Sequence, residues 1–346
     1  MENDWALVVG INRYPFASGL SPLQGAARDA EKFFEWVTSK TGGDVPNDQV
    51  HSCLLTSPEP GNGTEKPRPV FSQIQQFIED MQTQLAGRPG RRLYLFLSGH
   101  GISPISENAV RHAALLMANT RPPQDWHNFP GNVWAEGARN AARFREVVLI
   151  MDCCRDLQDK ANVGTHAFGD AVDDGKACRL VELYAADWGS QAREGEFGEP
   201  KVRQGIFTHS LLEVLKAGRM NGRMLKESLL EHLSRKATPE QRFQKPDIRT
   251  DEELEALTFN EAAAPPMSPV AILNHVDPRP RVHTLPIGGF RTKQVDISSW
   301  VLKEDKWQGS LPPGNYMIRM SAGDDVLFRV YAGLPEQVDV LVAEGQ

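Results

Sequence analysis

Cysteine is scarce in this chain, with 4 residues in 346, at positions 53, 153, 154 and 178. Four cysteines in a chain of this size make no disulfide framework, and none of them stands in the CxxC spacing of a structural zinc site. Positive charge is not in excess either. Lys and Arg number 38 against 45 Asp and Glu, giving a net charge of -7 and a pI near 5.8, which argues against nucleic acid as a partner. No block of like charge marks a basic arm or an acidic tail. Apolar runs stop at strand length, far short of the ~20 residues of a membrane helix, so no membrane partner is expected. The segment Met1-Glu-Asn-Asp lacks the basic and apolar regions of a signal peptide, and the expectation is a soluble, cytoplasmic protein. Internal repeats and low-complexity tracts are missing. The length suits one large domain with a smaller one, or two of medium size.

What is present is concentrated at the ends of two apolar runs. Val147-Val-Leu-Ile-Met151 leads directly into Asp152, Cys153, Cys154 and Arg155, and Leu93-Tyr-Leu-Phe-Leu97 leads into Ser98-Gly-His-Gly101. Each run reads as a buried strand of a parallel sheet, and open α/β sheets place their chemistry at such carboxyl ends. Further strands are expected at Trp5–Ile11, Val50–Leu55, Ala113–Met117 and 179–186. Helices are expected at Ala26–Lys40, with Ala26, Ala30, Phe33, Phe34 and Val37 on one face, and at 70–85, 207–217 and 224–233. The segments 155–176 and 187–205 read as loops, the first of them containing Lys160 and Lys176. This alternation predicts a mostly parallel sheet covered on both faces. At Ala262-Ala-Ala-Pro-Pro-Met-Ser-Pro269 the composition turns to that of a linker. Beyond it, short alternating runs and turn signals such as Gly288-Gly289 predict a small antiparallel sandwich. The expected domains are 1–255, a linker at 256–269, and a β-rich accessory domain at 270–346.

A histidine and a cysteine at two strand tips, 54 positions apart, match the spacing of caspase-type cysteine proteases, whose histidine lies roughly 50 residues before the nucleophile. A cysteine becomes a nucleophile when a neighbour lowers its pKa or takes its proton, and histidine does both. The glycines beside His100 leave its imidazole uncovered. Side chains alternate along a strand, so Cys153 and Cys154 cannot both face His100; the residues alone leave open which one acts. Cys53 and Cys178 read as core or surface residues, Trp5, Trp36 and Phe207 as core, and the other histidines show no metal-ligand spacing.

Five motifs in the first ~250 residues resemble the caspase-like clan, and within it the bacterial homologues, metacaspases and paracaspases. Ala6-Leu-Val-Val-Gly-Ile-Asn12 is similar to the clan's first strand, and Leu23-Gln-Gly-Ala-Ala-Arg-Asp-Ala30 to the motif that follows it. Ser98-Gly-His-Gly101 resembles the histidine motif and Asp152-Cys-Cys154 the Asp-x-Cys motif. Gly205-Ile-Phe-Thr-His-Ser-Leu-Leu212 is similar to the Gly-x-Phe-Thr-x-x-Leu-Leu segment. The resemblance implies a caspase-like α/β fold with Cys154 as nucleophile and His100 as base, and Cys153 on the other face of its strand. It implies an oxyanion site made by the amides of Cys154 and Gly101 (or Gly99). Animal caspases carry Gln-Ala-Cys-Arg-Gly, whereas this chain has an aspartate two residues before the nucleophile, as metacaspases and paracaspases do. In those families that aspartate helps select a basic side chain at P1, the residue whose carbonyl is attacked. Asp152, Asp29 and Ser98 match the pocket positions, with a strand-end cap and a helix-surface charge as the competing structural readings of the two aspartates.

The implied function is a cysteine endopeptidase acting on proteins or peptides after Arg, or less well Lys. Activation by cleavage in 155–176 or by a regulatory partner, and a setting in bacterial antiviral defence or programmed death, come with the resemblance alone. No cofactor or metal is expected, and calcium activation is allowed by the resemblance without any residue that specifies it. The alternative is a catalytically inactive caspase-like scaffold that binds a partner through its C-terminal domain. Retention of both His100 and Cys154 speaks against it.

Overall fold

The computed structural model describes residues 3–55, 67–105, 110–158, 161–164, 166–172, 178–236, 244–250, 257–273, 280–285, 292–319, 325–333 and 337–342. Lys160, Lys176, His275 and Gly288-Gly289 lie outside them, as does the side chain of Cys53. The chain divides into two compact units, Met1–Leu212 with Lys236–Leu257, and Glu213–Arg235 with Thr258–Gln346.

In the first unit six strands form one sheet, in the order Asp247–Thr250, Arg179–Tyr184, Phe144–Asp152, Gly90–Ser98, Trp5–Ile11, Val50–Leu55. Every neighbouring pair is parallel except the first, where Asp247–Thr250 runs antiparallel along the edge. The central strands carry unbroken apolar runs at 5–11, 93–97 and 147–151 because both faces are covered there. Alternation then sorts the side chains. Leu7, Val9, Leu95, Leu97, Leu149 and Met151 share one core with Ile74, Ile78, Met81 and Leu85 of the helix Phe71–Leu85 and with Trp134 of the helix Gly131–Asn140. Those four residues recur at helical spacing, with glutamines and acids between them. On the opposite face Phe33 of the helix Ala26–Thr38 stacks on Phe96 at 4.4 Å between centroids and meets Tyr94 edge-on at 6.2 Å.

The expected strands and helices are present, with three differences. Trp36, not Phe34, completes the buried face of the first helix, and Asp29 is buried with it. The segment 155–176, read as a loop, contributes Asp156–Gln158 as a short strand parallel to Gly101–Pro104. It joins a second sheet, ordered Asn128–Pro130, Ala114–Leu116, Gly101–Pro104, Asp156–Gln158. A hairpin, Glu194–Phe197 with Val202–Gly205, lies in the segment read as the second loop. Pieces of three or four half-polar residues carry too little alternation to be distinguished from loop. No helix among the described residues is long and apolar enough to cross a membrane.

The second unit contains the helix Gly222–Lys236 except its last residue and, among the described residues, two four-stranded sheets. Val270, Ile272, Val282, Trp300, Ile318 and Val340 belong to their shared core. The sandwich is not wholly antiparallel, since Ser268–Leu273 pairs parallel with Val338–Leu341. Ser268 and Pro269, linker by composition, open that strand.

Phe33 is fully buried and touches three other aromatic rings. Phe33→Ala is expected to cost about 3–5 kcal/mol, read as a lowered midpoint in urea unfolding of the full chain. A change below about 1 kcal/mol would show that the helix does not depend on this anchor.

Candidate active site

The site is built from strand register. Leu97 pairs with Met151 and Ser98 with Asp152, while Gly10 of the neighbouring strand pairs with Ser98. Ser98 and Asp152 therefore stand side by side on one face of the sheet, the face covered by the first helix. That helix brings Asp29, whose Oδ2 accepts a hydrogen bond from Ser98 Oγ at 3.2 Å. One residue past Asp152 the chain faces the other way, and Cys153 is buried in the core with Leu115 and Met151. Cys154 is half-buried and lines a cavity of about 420 Å³ together with His100, Asp29, Asp152, Ser98 and Gly101. All six residues singled out from the sequence thus reach one cavity.

Its acidic end is tightly held. Asp29 accepts the Gly205 amide at 3.0 Å on each carboxylate oxygen. Asp152 Oδ2 accepts the amide and hydroxyl of Thr208 at 3.0 and 2.7 Å. Neither aspartate is a surface charge, for both are at most 5 % exposed. Gly205 sits against the two carboxylates, where a Cβ would stand 2.1 Å from Asp152 Oδ2 and 2.8 Å from Asp29 Oδ2. Sequence reasoning missed a third acid, Glu194. Its carboxylate accepts the amides of Gly25 at 2.6 Å and Gln24 at 3.0 Å and lines the same cavity. It thereby satisfies donors at the first helix's N-terminus, as Asn12 Oδ1 does for Ala27 at 2.9 Å. Glu194 lies outside every motif; the alternation of Glu194, Gly195, Glu196 and Phe197 into a turn was the only signal. Burial, then the neighbouring Asp152 charge, holds Asp29 well above the usual carboxylate range. Burial also pushes Asp152 up to about 6, against the lowering effect of the Thr208 hydrogen bonds.

His100 is fixed on two sides. Its backbone N–H donates to Tyr14 Oη at 2.8 Å, and the two rings lie 5.1 Å apart. Its Nε2 is 2.7 Å from the carbonyl oxygen of Ser21. A carbonyl only accepts, so Nε2 carries the proton and the basic lone pair of the neutral ring is on Nδ1. Tyr14 was not foreseen; it comes from the loop after the first strand, which has no periodicity to read. Gly99 adopts φ +155°, and a Cβ there would meet Tyr14 Oη at 2.6 Å, so this turn needs glycine. The Gly99 amide is committed to Asp152 O at 3.2 Å.

Cys154 Sγ lies 3.8 Å from the carbonyl oxygen of Ala192. Imidazole and thiol are therefore held by separate loop carbonyls. Burial pushes the Cys154 thiol up to about 11, the Ala192 hydrogen bond opposing it. Burial raises the Cys153 thiol as well. Arg155 leaves the cavity altogether. Its guanidinium is buried, donates to Ala186 O at 3.1 Å and Asp247 Oδ2 at 2.9 Å, and covers the rings of Tyr184 and Trp188 at 4.1 and 3.4 Å. Trp5, Trp36 and Phe207 are core residues. Among the described residues no group of three or more His, Cys, Asp or Glu is placed to hold a metal ion.

A family model described as the caspase domain matches residues 3–253. The chain belongs to this family. It is also similar to a protein named "Probable protease" from a Desulfuromonadales bacterium, 34% identical over 169 residues. That match covers 45% of this chain and 19% of the relative, so the chain spans about a fifth of the relative's length.

A thiol raised to about 11 predicts slow alkylation at neutral pH. In the resting protein, the rate of iodoacetamide labelling at Cys154 should rise about tenfold per pH unit over roughly pH 7 to 9. Peptide mapping should find Cys153 unlabelled. A rate already level near pH 7 would instead show a preformed thiolate beside an imidazolium.

Proposed function

We propose that this chain is a cysteine endopeptidase that cleaves after basic residues, Arg better than Lys. One observation carries the reading: two buried carboxylates, Asp29 and Asp152, joined by Glu194, share a cavity with Cys154 and His100. Carboxylates this close repel each other, and a single guanidinium relieves that repulsion through charge-assisted hydrogen bonds. The planar fork of Arg suits paired carboxylates better than the point charge of Lys. An acidic P1 residue would add a further negative charge.

The chemistry follows from the groups present. Nδ1 of His100 takes the Cys154 proton, and the thiolate attacks the P1 carbonyl carbon. The oxygen becomes an oxyanion, for which the amides of Cys154 and Gly101 are the proposed donors. Gly101 is favoured over Gly99, whose amide is already bonded to Asp152 O. The protonated imidazole returns its proton to the leaving amine as the C–N bond breaks. Water then attacks the thioester with His100 again as base, releasing the acid and the thiol. Since Cys154 rests on Ala192, the thiol must leave that carbonyl before His100 can take its proton. A requirement for activation, by cleavage or by a regulatory protein, is the form of control we propose. A cytoplasmic setting in bacterial defence or programmed death is proposed from family resemblance.

Matched peptides with P1 Arg, Lys and Asp test specificity, with the order Arg, Lys, Asp expected; preference for Asp would overturn the pocket. Asp152→Asn should lower kcat/KM for the arginyl peptide by about thirtyfold or more while Cys154 stays alkylatable. As pH falls through about 6, Asp152 takes up a proton, so discrimination between Arg and its neutral isostere citrulline should shrink. Using this ratio cancels every pH effect common to the two substrates.

The dyad is tested separately. Cys154→Ala should abolish cleavage and Cys153→Ala should leave most of it. His100→Ala should lower kcat by about a hundred- to ten-thousandfold with a smaller change in KM. Near-normal turnover in that variant would remove His100 from the mechanism.

A further inference from the structure

We infer that the side of the cavity beyond the dyad is a subsite for a large apolar residue immediately after the scissile bond (P1′), with Leu20 and Trp126 as its specificity-determining residues. The inference rests on the proposed cleavage chemistry and adds the leaving-group side to it.

Two chain segments cross the cavity in parallel, and both begin and end in register. Ser98 pairs with Asp152 in the main sheet, and four residues further on Ile102 pairs with Asp156 in the small sheet. His100 and Cys154 are the midpoints of these two crossings. The dyad therefore stands between two lining surfaces of different chemistry. At the main-sheet end lie Asp29, Asp152 and Glu194. At the small-sheet end the lining is Ile102, Leu116, Asp156 and Gln158 from its strands and Trp126 two residues before its edge strand, while Leu20 reaches the cavity from the loop whose Ser21 carbonyl holds His100.

The direction of proton transfer says which end takes the leaving group. His100 must hand its proton to the departing amine, so that amine and its residue lie on the imidazole side of the thiolate. The neighbours of His100 belong to the apolar end. Ser21, whose carbonyl holds Nε2, follows Leu20 in the chain, and the Leu116 amide donates to His100 O at 2.8 Å. Ile102 and Leu116 are almost fully covered, so they form the floor. Leu20 and Trp126 are half-buried, packed on the core beneath while lining the cavity above. An apolar P1′ side chain completes their burial. Asp156, half-buried in the same lining, disfavours an acidic residue there.

The test uses quenched fluorescent peptides with P1 Arg fixed and P1′ set to Leu, Phe, Gly or Asp. Leu and Phe should exceed Gly in kcat/KM by about tenfold or more, with Asp lowest. Trp126→Ala should bring the Leu-to-Gly ratio close to one, and Trp126→Phe should keep most of it. The ratio is the readout because damage to the dyad or the acidic end lowers every peptide alike. Equal rates for Leu and Gly in the wild type, or a Trp126→Ala variant that lowers all peptides in proportion, would overturn the inference. An arginyl fluoromethyl ketone, which carries no P1′ residue, separates the two levels of the argument. If it labels wild-type Cys154 while P1′ makes no difference, the P1′ subsite fails and the peptidase reading stands. All rates are read on activated protein, in which iodoacetamide labelling of Cys154 has become level near pH 7; if such protein is not labelled by the ketone and cleaves no arginyl peptide, both fall.

Discussion

The alignment of Ser98 with Asp152 across two parallel strands is the constraint on which the site depends. Register in a parallel sheet buried on both faces is strongly specified, because a slip of one residue would turn each side chain to the opposite layer. Here such a slip would send Ser98 away from Asp29 and place Cys153 where Cys154 is. Choosing between two adjacent cysteines is therefore a matter of sheet geometry before it is one of reactivity. Cys153 belongs to the layer of Leu149 and Met151 and is covered by core side chains. Cys154 emerges past the strand's end, where the cavity begins.

The acidic end is the unfavourable part of the design. Asp29 and Asp152 are both buried, and Glu194 raises both of them. Amides offset part of that cost, from Gly205 and Thr208 for the aspartates and from Gln24 and Gly25 for Glu194. These donors also tie the hairpin at 194–205 to the start of the first helix. The cavity wall is thus assembled from segments some 170 residues apart in sequence, joined by the groups that would read a basic side chain. Gly205 makes this closeness possible, since even a methyl group would overlap Asp152.

The sheet and its helices were legible because each long element repeats a simple period: continuous apolar runs at 5–11, 93–97 and 147–151, and helical spacing at Ile74, Ile78, Met81 and Leu85. His100 and Cys154 stood out because strand tips are sparse places and both carry reactive groups. What sequence could not show was the contact of distant loops. Tyr14 holds the His100 amide, Ser21 and Ala192 hold the imidazole and thiol through backbone carbonyls, and Glu194 enters through a short hairpin. A carbonyl contact leaves no side-chain signature at all. Burial of Asp29 was equally hidden, because an aspartate on a helix beside Arg28 and Glu31 reads as solvated until its partners are known.

The two loop carbonyls have opposite consequences for the dyad. Ser21 orients the imidazole with its lone pair on Nδ1, the state that the proposed base requires, so that contact fits the proposed chemistry. Ala192 accepts from the thiol instead, and the surrounding burial keeps the sulfur protonated. Arg155 bears on this second contact. Its amide donates to Ser190 O and its carbonyl accepts from Gly189, while its guanidinium covers Trp188. The residue after Cys154 thus fixes the segment 188–190, which leads directly into Ala192. A full shift of that segment would uncover a buried guanidinium or strip it of its aromatic cover, which is costly. On the other side of Ala192 the chain is anchored as well, the Arg193 N–H donating to Gln244 Oε1 at 3.1 Å and its carbonyl accepting from the Ile206 N–H at 3.0 Å. The carbonyl that holds the thiol thus sits between two anchored stretches, 188–190 and 193–194, so the contact on Cys154 is set from both sides.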